Sequence, residues 1–176
     1  MSTRVLAISG SLRRESHNSL LLRLAQEHAP SDVEIVIWDG LADVPAYNED
    51  NEVDPGPAVV ALRTAIADAH ALLIATPEYN FGVPGALKNA LDWASRPYGA
   101  SALSGIPTSV MGASPSSFAA SQSRGDLRRA LALSGASVDE ETVGFRSDRL
   151  TAERDAVIVE VTDVVSALAA RVGVPV

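Results

Sequence analysis

The chain contains no cysteine. Disulfides, thiolate metal sites and cysteine nucleophiles are therefore excluded, and the composition suits a reducing, cytoplasmic compartment. There is one lysine, Lys88; every other basic side chain is arginine. The formal net charge is -8, which repels phosphate backbones and anionic membranes at long range, and no local basic patch offsets it. Neither nucleic acid nor a membrane is expected as a partner. No apolar run approaches the roughly 20 residues of a membrane span. The N-terminal run in MSTRVLAISGS stops too soon for a signal peptide, so a soluble, cytoplasmic protein is expected. His17, His28 and His70 are scattered along the chain, so no shared metal site is expected.

What is present fits one globular domain over residues 1–176. Hydrophobic residues make up 47% and charged residues 20%, and a chain of this length can bury a core without staples. Short apolar runs at Val5–Ser9, Val33–Trp38, Ala71–Thr76 and Thr108–Met111 read as strands, with a brief fifth at Ser137–Val138. Between them, helical periodicity around Leu20–Ala25 and over Ala58–Ala69, Pro84–Ser95, Ser117–Leu133 and Thr151–Val172 predicts helices. Residues 39–57 form a long, acidic, proline-bearing connection, read as a lid, a partner contact or a solvated loop. Strict β-α alternation demands crossover connections and so a parallel sheet with helices on both faces. Five strands suit the flavodoxin-like order 2-1-3-4-5, a three-layer sandwich. In such sheets ligands bind beyond the carboxyl ends of the strands, near the switch point between strands 1 and 3.

Two loops at that end carry chemistry. After strand 1 the chain reads GSLRRESHNS. Ser11, Ser16 and Asn18 are hydrogen-bond donors at a helix N-terminus, Arg13 adds a charge, and His17 lies among them, which together suits a phosphate. An ordinary capped helix, with Ser16 as the N-cap, is the plainer alternative. The P-loop ending GK[ST] is absent, and only one glycine of GxGxxG is present, so a monophosphate fits better than a triphosphate or dinucleotide. After strand 3 the chain reads PEYNFGVPGALKNALDW. Pro77, Glu78, Tyr79 and Asn80 place an aromatic beside an amide, as a flat heteroaromatic ring requires. Glu78 is open to three readings: solvent, an arginine of a partner subunit, or substrate. Phe81 and Trp93 read as core aromatics. No nucleophile–base triad is apparent, so no side chain is assigned a chemical step.

With both loops read, the chain resembles the NADPH-dependent FMN reductase family, which includes quinone, chromate and azo-dye reductases. GSLRRESHN, PEYNFGVPGALKNALDWASRP and VMGASP carry the resemblance. It implies bound FMN, NADPH or NADH as co-substrate, a small acceptor such as a quinone, and a homodimer or homotetramer. It also implies that Ser11, Arg13, Ser16 and Asn18 hold the flavin phosphate. Pro77, Glu78, Tyr79 and Asn80 then lie along the isoalloxazine, and Gly112, Ala113 and Ser114 contact it from strand 4. The chain departs from the family after GASP, where SSFAAS replaces a stretch that is often glycine-rich. That bears on the acceptor and on nicotinamide access. A flavodoxin-type electron carrier and an FMN-binding protein without turnover share the fold and compete with the enzyme reading. A receiver-like domain would need acids after strand 1, where Ser9, Gly10 and Ser11 stand.

Overall fold

The computed structural model describes residues 2–173. The parallel order and layers expected from the alternation are present. Strands β1 (Thr3–Ser9), β2 (Val33–Trp38), β3 (Ala71–Ala75) and β4 (Pro107–Ser114) form a parallel sheet in the order β2-β1-β3-β4. Helices α1 (His17–Glu27), α2 (Pro57–Ala67), α3 (Gly85–Ala94) and α4 (Ser121–Leu133) make the crossovers. The period of two along the strands sorts their side chains between the faces. Val5, Ala7 and Leu73 pack with Leu21, Leu24, Val161 and Val165 on one face. Leu6, Ile8, Leu72 and Ile74 pack with Leu62, Ile66, Leu87, Leu127 and Leu131 on the other. Strand β3 is buried along its whole length, which explains its uninterrupted apolar sequence.

The fifth sheet position differs from the single short strand expected. It is built from two pieces, β5 (Ser137–Val138) and β6 (Val143–Arg146), both pairing with β4. Between the pairs Thr108–Val138 and Met111–Val143, β4 advances three residues while the edge advances five. The excursion is polar. Asp139 turns back to accept from Ser109 Oγ and pairs with Arg171, while its carbonyl accepts from Arg128. Asp and Glu are poor strand formers, so the Asp139-Glu140-Glu141 run masked the strand that resumes beyond it.

Two helix boundaries also shift, whereas helix α1 begins at His17 with Ser16 as its N-cap, as in the plainer reading of that loop; Ser16 Oγ accepts from Ser19 N at 3.2 Å. Helix α4 begins four residues later than expected, because Ala119 (φ 47°) and Ala120 (φ 61°) are left-handed. The terminal helix is two helices, α5 (Arg149–Ala152) and α6 (Arg154–Ala170), broken at Glu153. Arg149 bridges the break, at 2.6 Å from both Glu153 and Glu160, and those carboxylates raise its pKa above the ordinary arginine value. The end of the expected terminal helix falls short of Val172, and residues 174–176 lie outside the described ones. The 39–57 connection contains two 3-10 turns and lies along α3. Asn89 Nδ2 and Trp93 Nε1 each donate to Pro45 O at 2.8 Å. No helix among the described residues is long and apolar enough to cross a membrane.

Candidate functional site

Loops after β1, β3 and β4 meet at the carboxyl end of the sheet and enclose one crevice. It is lined by Ser11, Arg13, Ser16, His17 and Asn18 from the first, Pro77, Glu78 and Tyr79 from the second, and Ala113, Ser114 and Pro115 from the third. Ten of the twelve residues picked from sequence therefore come together. Asn80 and Gly112 do not line it. Pro115 was missed, since proline carries no donor that would draw notice. A shallower apolar groove adjoins the crevice, formed by Leu12, Tyr79, Pro84, Gly85 and Ala86 and sharing Arg13 with it. A larger cavity around Arg96, Tyr98 and Ser134 precedes β4 and β5, at the opposite end of the sheet.

The first lip gathers the donors that an anion would need. Ser11 and Ser16 are buried, and α1 has no acid in its first turn to occupy its positive end. Arg13 is exposed and makes no side-chain hydrogen bond or ion pair among the described residues. Ser11 Oγ lies 3.5 Å from Tyr79 Oη, so this lip touches the second loop. Asn18 has a different task from the one expected of it. Its Oδ1 accepts from Ala113 N at 2.8 Å and its Nδ2 donates to Ala113 O at 3.1 Å. Both ends of the amide thus bind β4 backbone and fix the width of the crevice. Close approach also sets Gly10, where a Cβ would stand 2.8 Å from Leu87 Cδ2.

The second lip is a tight hairpin. Tyr79 N donates to Gly82 O at 3.2 Å and Gly82 N returns a bond to Tyr79 O at 3.0 Å. The two residues between, Asn80 (φ 50°) and Phe81 (φ 61°), both lie at positive φ, as a type I′ turn requires. Asparagine tolerates this conformation; phenylalanine does not do so readily. The core role expected of Phe81 is overturned: it is 78% exposed at the hairpin tip, whereas Trp93 is buried as expected. The turn geometry forces the difference, because the I′ tip points away from the sheet. Among the described residues, every non-glycine at positive φ stands in this loop or in the one after β4.

The third lip leads into α4, and Glu78 joins it to the second. Glu78 Oε2 accepts from Gln122 N at 2.9 Å and Ser123 N at 3.2 Å. None of the three roles weighed for Glu78 is this one; nothing in sequence spacing links residue 78 to helix amides 44 and 45 positions on. Arg124 is half-buried, and burial lowers its pKa from the ordinary value while the Glu78 charge opposes that shift. Gly112 sits beneath, where a Cβ would stand 2.5 Å from Thr76 O and 3.0 Å from the Arg124 side chain.

Similar proteins supply the chemistry that geometry leaves open. A family model for NADPH-dependent FMN reductases matches residues 3–148. A 2-hydroxy-1,4-benzoquinone reductase of Burkholderia is 41% identical over 128 residues, 73% of this chain and 69% of that protein. A quinone reductase of Pseudomonas putida is 47% identical over 112 residues, 63% of this chain and 60% of that protein. The alignments thus span between 60% and 69% of these relatives' lengths. Among solved structures, a flavoenzyme NAD(P)H:(acceptor) oxidoreductase from Paracoccus denitrificans superposes with TM-score 0.83 at 31% identity, covering 96% of both chains. An apo NADH:FMN oxidoreductase gives 0.75 at 20% identity, which speaks for the fold alone. With its family match across most of the sequence and its flavodoxin-like architecture, the chain belongs to the NADPH-dependent FMN reductase family.

Proposed function

We propose that the protein is an FMN-dependent NAD(P)H oxidoreductase and that a quinone is the small acceptor it reduces. The observation that carries the reading is the adjacency of two features: a donor-rich crevice with an unpaired Arg13 guanidinium, and an apolar groove beside an exposed tyrosine. The donor set fits FMN. Ser11, Ser16 and Arg13 with the α1 N-terminus suit a dianionic monophosphate. Leu12, Tyr79 and the Pro84–Ala86 backbone suit a flat, largely apolar ring. Held there by Ser11, Arg13 and Ser16 and against Tyr79, FMN would supply two-electron transfer chemistry between a nicotinamide and an acceptor.

The protein's own part is positioning. Asn18 holds Ala113 and thereby one wall; the Tyr79 hairpin forms the facing one. His17 stands on the first turn of α1 at the phosphate end. Asn80 and Gly112 support the site from outside its lining, one in the turn that aims Tyr79 and one through its contact with Thr76. Leu12, Phe81 and Phe118 expose apolar surface on the three loops at this end of the sheet, which favours a homodimer or homotetramer that covers it. The lack of cysteine supports a cytoplasmic location.

Purified protein should bind FMN with the absorbance bands of oxidised flavin and consume NAD(P)H when a quinone is added. Colourless protein that ignores added FMN would refute the assignment. FMN binding without NAD(P)H oxidation would make it a carrier instead.

A further inference from the structure

Glu78 lines the crevice, yet its carboxylate is committed elsewhere. It accepts from Gln122 N and Ser123 N, the first-turn amides of α4. Helix α4 needs such a partner. The preceding residue, Ala120, has no side-chain acceptor and sits in the left-handed region, and the first turn contains no acid. Uncapped amides at a helix start carry partial positive charge, and a carboxylate satisfies them with favourable dipole interaction. A second latch lies beside the first: the Thr76 and Ser123 hydroxyls are 2.8 Å apart and buried. From the next residue Arg124 reaches the other way, donating to Ala119 O at 3.0 Å and to Thr142 O and Oγ1 at 2.6 Å each. The start of α4 is thus fastened to the sheet edge on one side and to the Tyr79 hairpin on the other.

We infer that Glu78 is a positioning residue: its carboxylate clamps the Tyr79 hairpin, one wall of the flavin crevice, to the helix that follows the opposite wall. The inference rests on the FMN reading above. The hairpin's two backbone bonds are internal to it, and its tip is exposed. Without the Glu78 carboxylate the latch on the hairpin side reduces to the Thr76–Ser123 contact, which lies before the loop begins. A wall that samples several positions binds a flat ring only in the competent fraction of molecules, and the apparent affinity falls by that fraction.

Three variants test this with FMN titration. Glu78→Ala should raise the FMN Kd about tenfold or more. Glu78→Gln keeps an amide oxygen that can accept the same two bonds, and should stay within about threefold of the native protein. Arg171→Ala removes bonds to Ser137 and Asp139 at the other end of the sheet. It should lower Tm yet leave the FMN Kd unchanged, which separates positioning from general loss of stability. Hydrogen exchange on ligand-free protein gives an independent readout: the Gln122 and Ser123 amides should be slow in the native and Glu78→Gln proteins and fast in Glu78→Ala. Native FMN affinity in Glu78→Ala, equal weakness in Glu78→Gln, or protected amides in Glu78→Ala would each overturn the inference. Native protein that binds no FMN would instead overturn the flavin reading, and the exchange measurement would still decide whether the clamp exists.

Discussion

Phe81→Gly should make the protein more stable, an unusual expectation for removing an aromatic side chain. Phe81 holds φ 61° in a turn that cannot relax without breaking the Tyr79–Gly82 pair. A left-handed residue other than glycine costs about 1–2 kcal/mol. Against that relief, glycine loses more freedom on folding, about 0.4–1 kcal/mol. The side chain is 78% exposed, so only a small part of the roughly 1.5–3 kcal/mol of a fully buried aromatic is forfeited. The balance favours the variant by about 0.5 kcal/mol, or roughly 1–2 °C in Tm for a chain of this size. Phe81→Val provides the contrast, because a β-branched residue in the same conformation is worse still and should lower Tm. Thermal unfolding at two protein concentrations measures both. A fall of several degrees for Phe81→Gly would refute the reasoning. A fall that shrinks on dilution would show why: the side chain would then be buried against a second copy, and its loss would count only where that copy is bound.

Arg13→Ala should weaken FMN binding by about 1.5–3 kcal/mol, the range for a charged hydrogen bond. It should leave Tm of the ligand-free protein unchanged, because the guanidinium has no partner to lose among the described residues; titration and unfolding on the same sample check both. Gly10→Ala should destabilise by about 1–3 kcal/mol, since a Cβ would meet Leu87 at 2.8 Å and Pro77 at 3.3 Å; chemical denaturation would report it. Glu52 bonds to Tyr47 and Arg96, and chiefly the Tyr47 hydrogen bond holds its pKa below the ordinary glutamate value. A depressed carboxyl stabilises the fold above its ordinary pKa and loses that contribution as pH falls through the depressed value. Glu52→Gln should therefore flatten the acid side of the stability–pH curve, measured by Tm between pH 3 and pH 7.

Most of the architecture was legible because the central strands β1, β3 and β4 bury both faces along most of their length and the helices carry apolar stripes, so burial writes itself into the sequence as runs and periods. The donor-rich first lip was legible for a similar reason: its residues are contiguous. What failed to show were features set by tertiary partners. Val143–Arg146 looked like loop because acids precede it, yet pairing with β4 supplies the bonds that its composition does not suggest. Asn18 reads as a phosphate donor until Ala113, 95 positions away, is seen to take both ends of its amide. Phe81 reads as core by hydrophobicity, and only the I′ turn turns it outward. Ala119 and Ala120 read as helix formers, and their left-handed geometry delays α4.

The positions that defied local reading share a place as well as a cause. The four strained residues flank the crevice on two lips, whereas the phosphate lip has none. Backbone strain of this kind persists only where surrounding contacts over-determine it. Here those contacts are the Tyr79–Gly82 pair, the Glu78 bonds to α4 and the Arg124 bonds to Ala119 and Thr142. Bracing of this sort separates two jobs. On the proposed flavin reading the first loop holds a ligand group common to every turnover, so free donors on a relaxed loop serve it. The braced lips carry side chains that take no part in the bracing: Tyr79 at the crevice, and Phe81 and Phe118 exposed outside its lining. Substitutions at Glu78 or Arg124 should therefore loosen the lips they join, whereas substitutions at the exposed Phe81 and Phe118 side chains leave the bracing bonds in place.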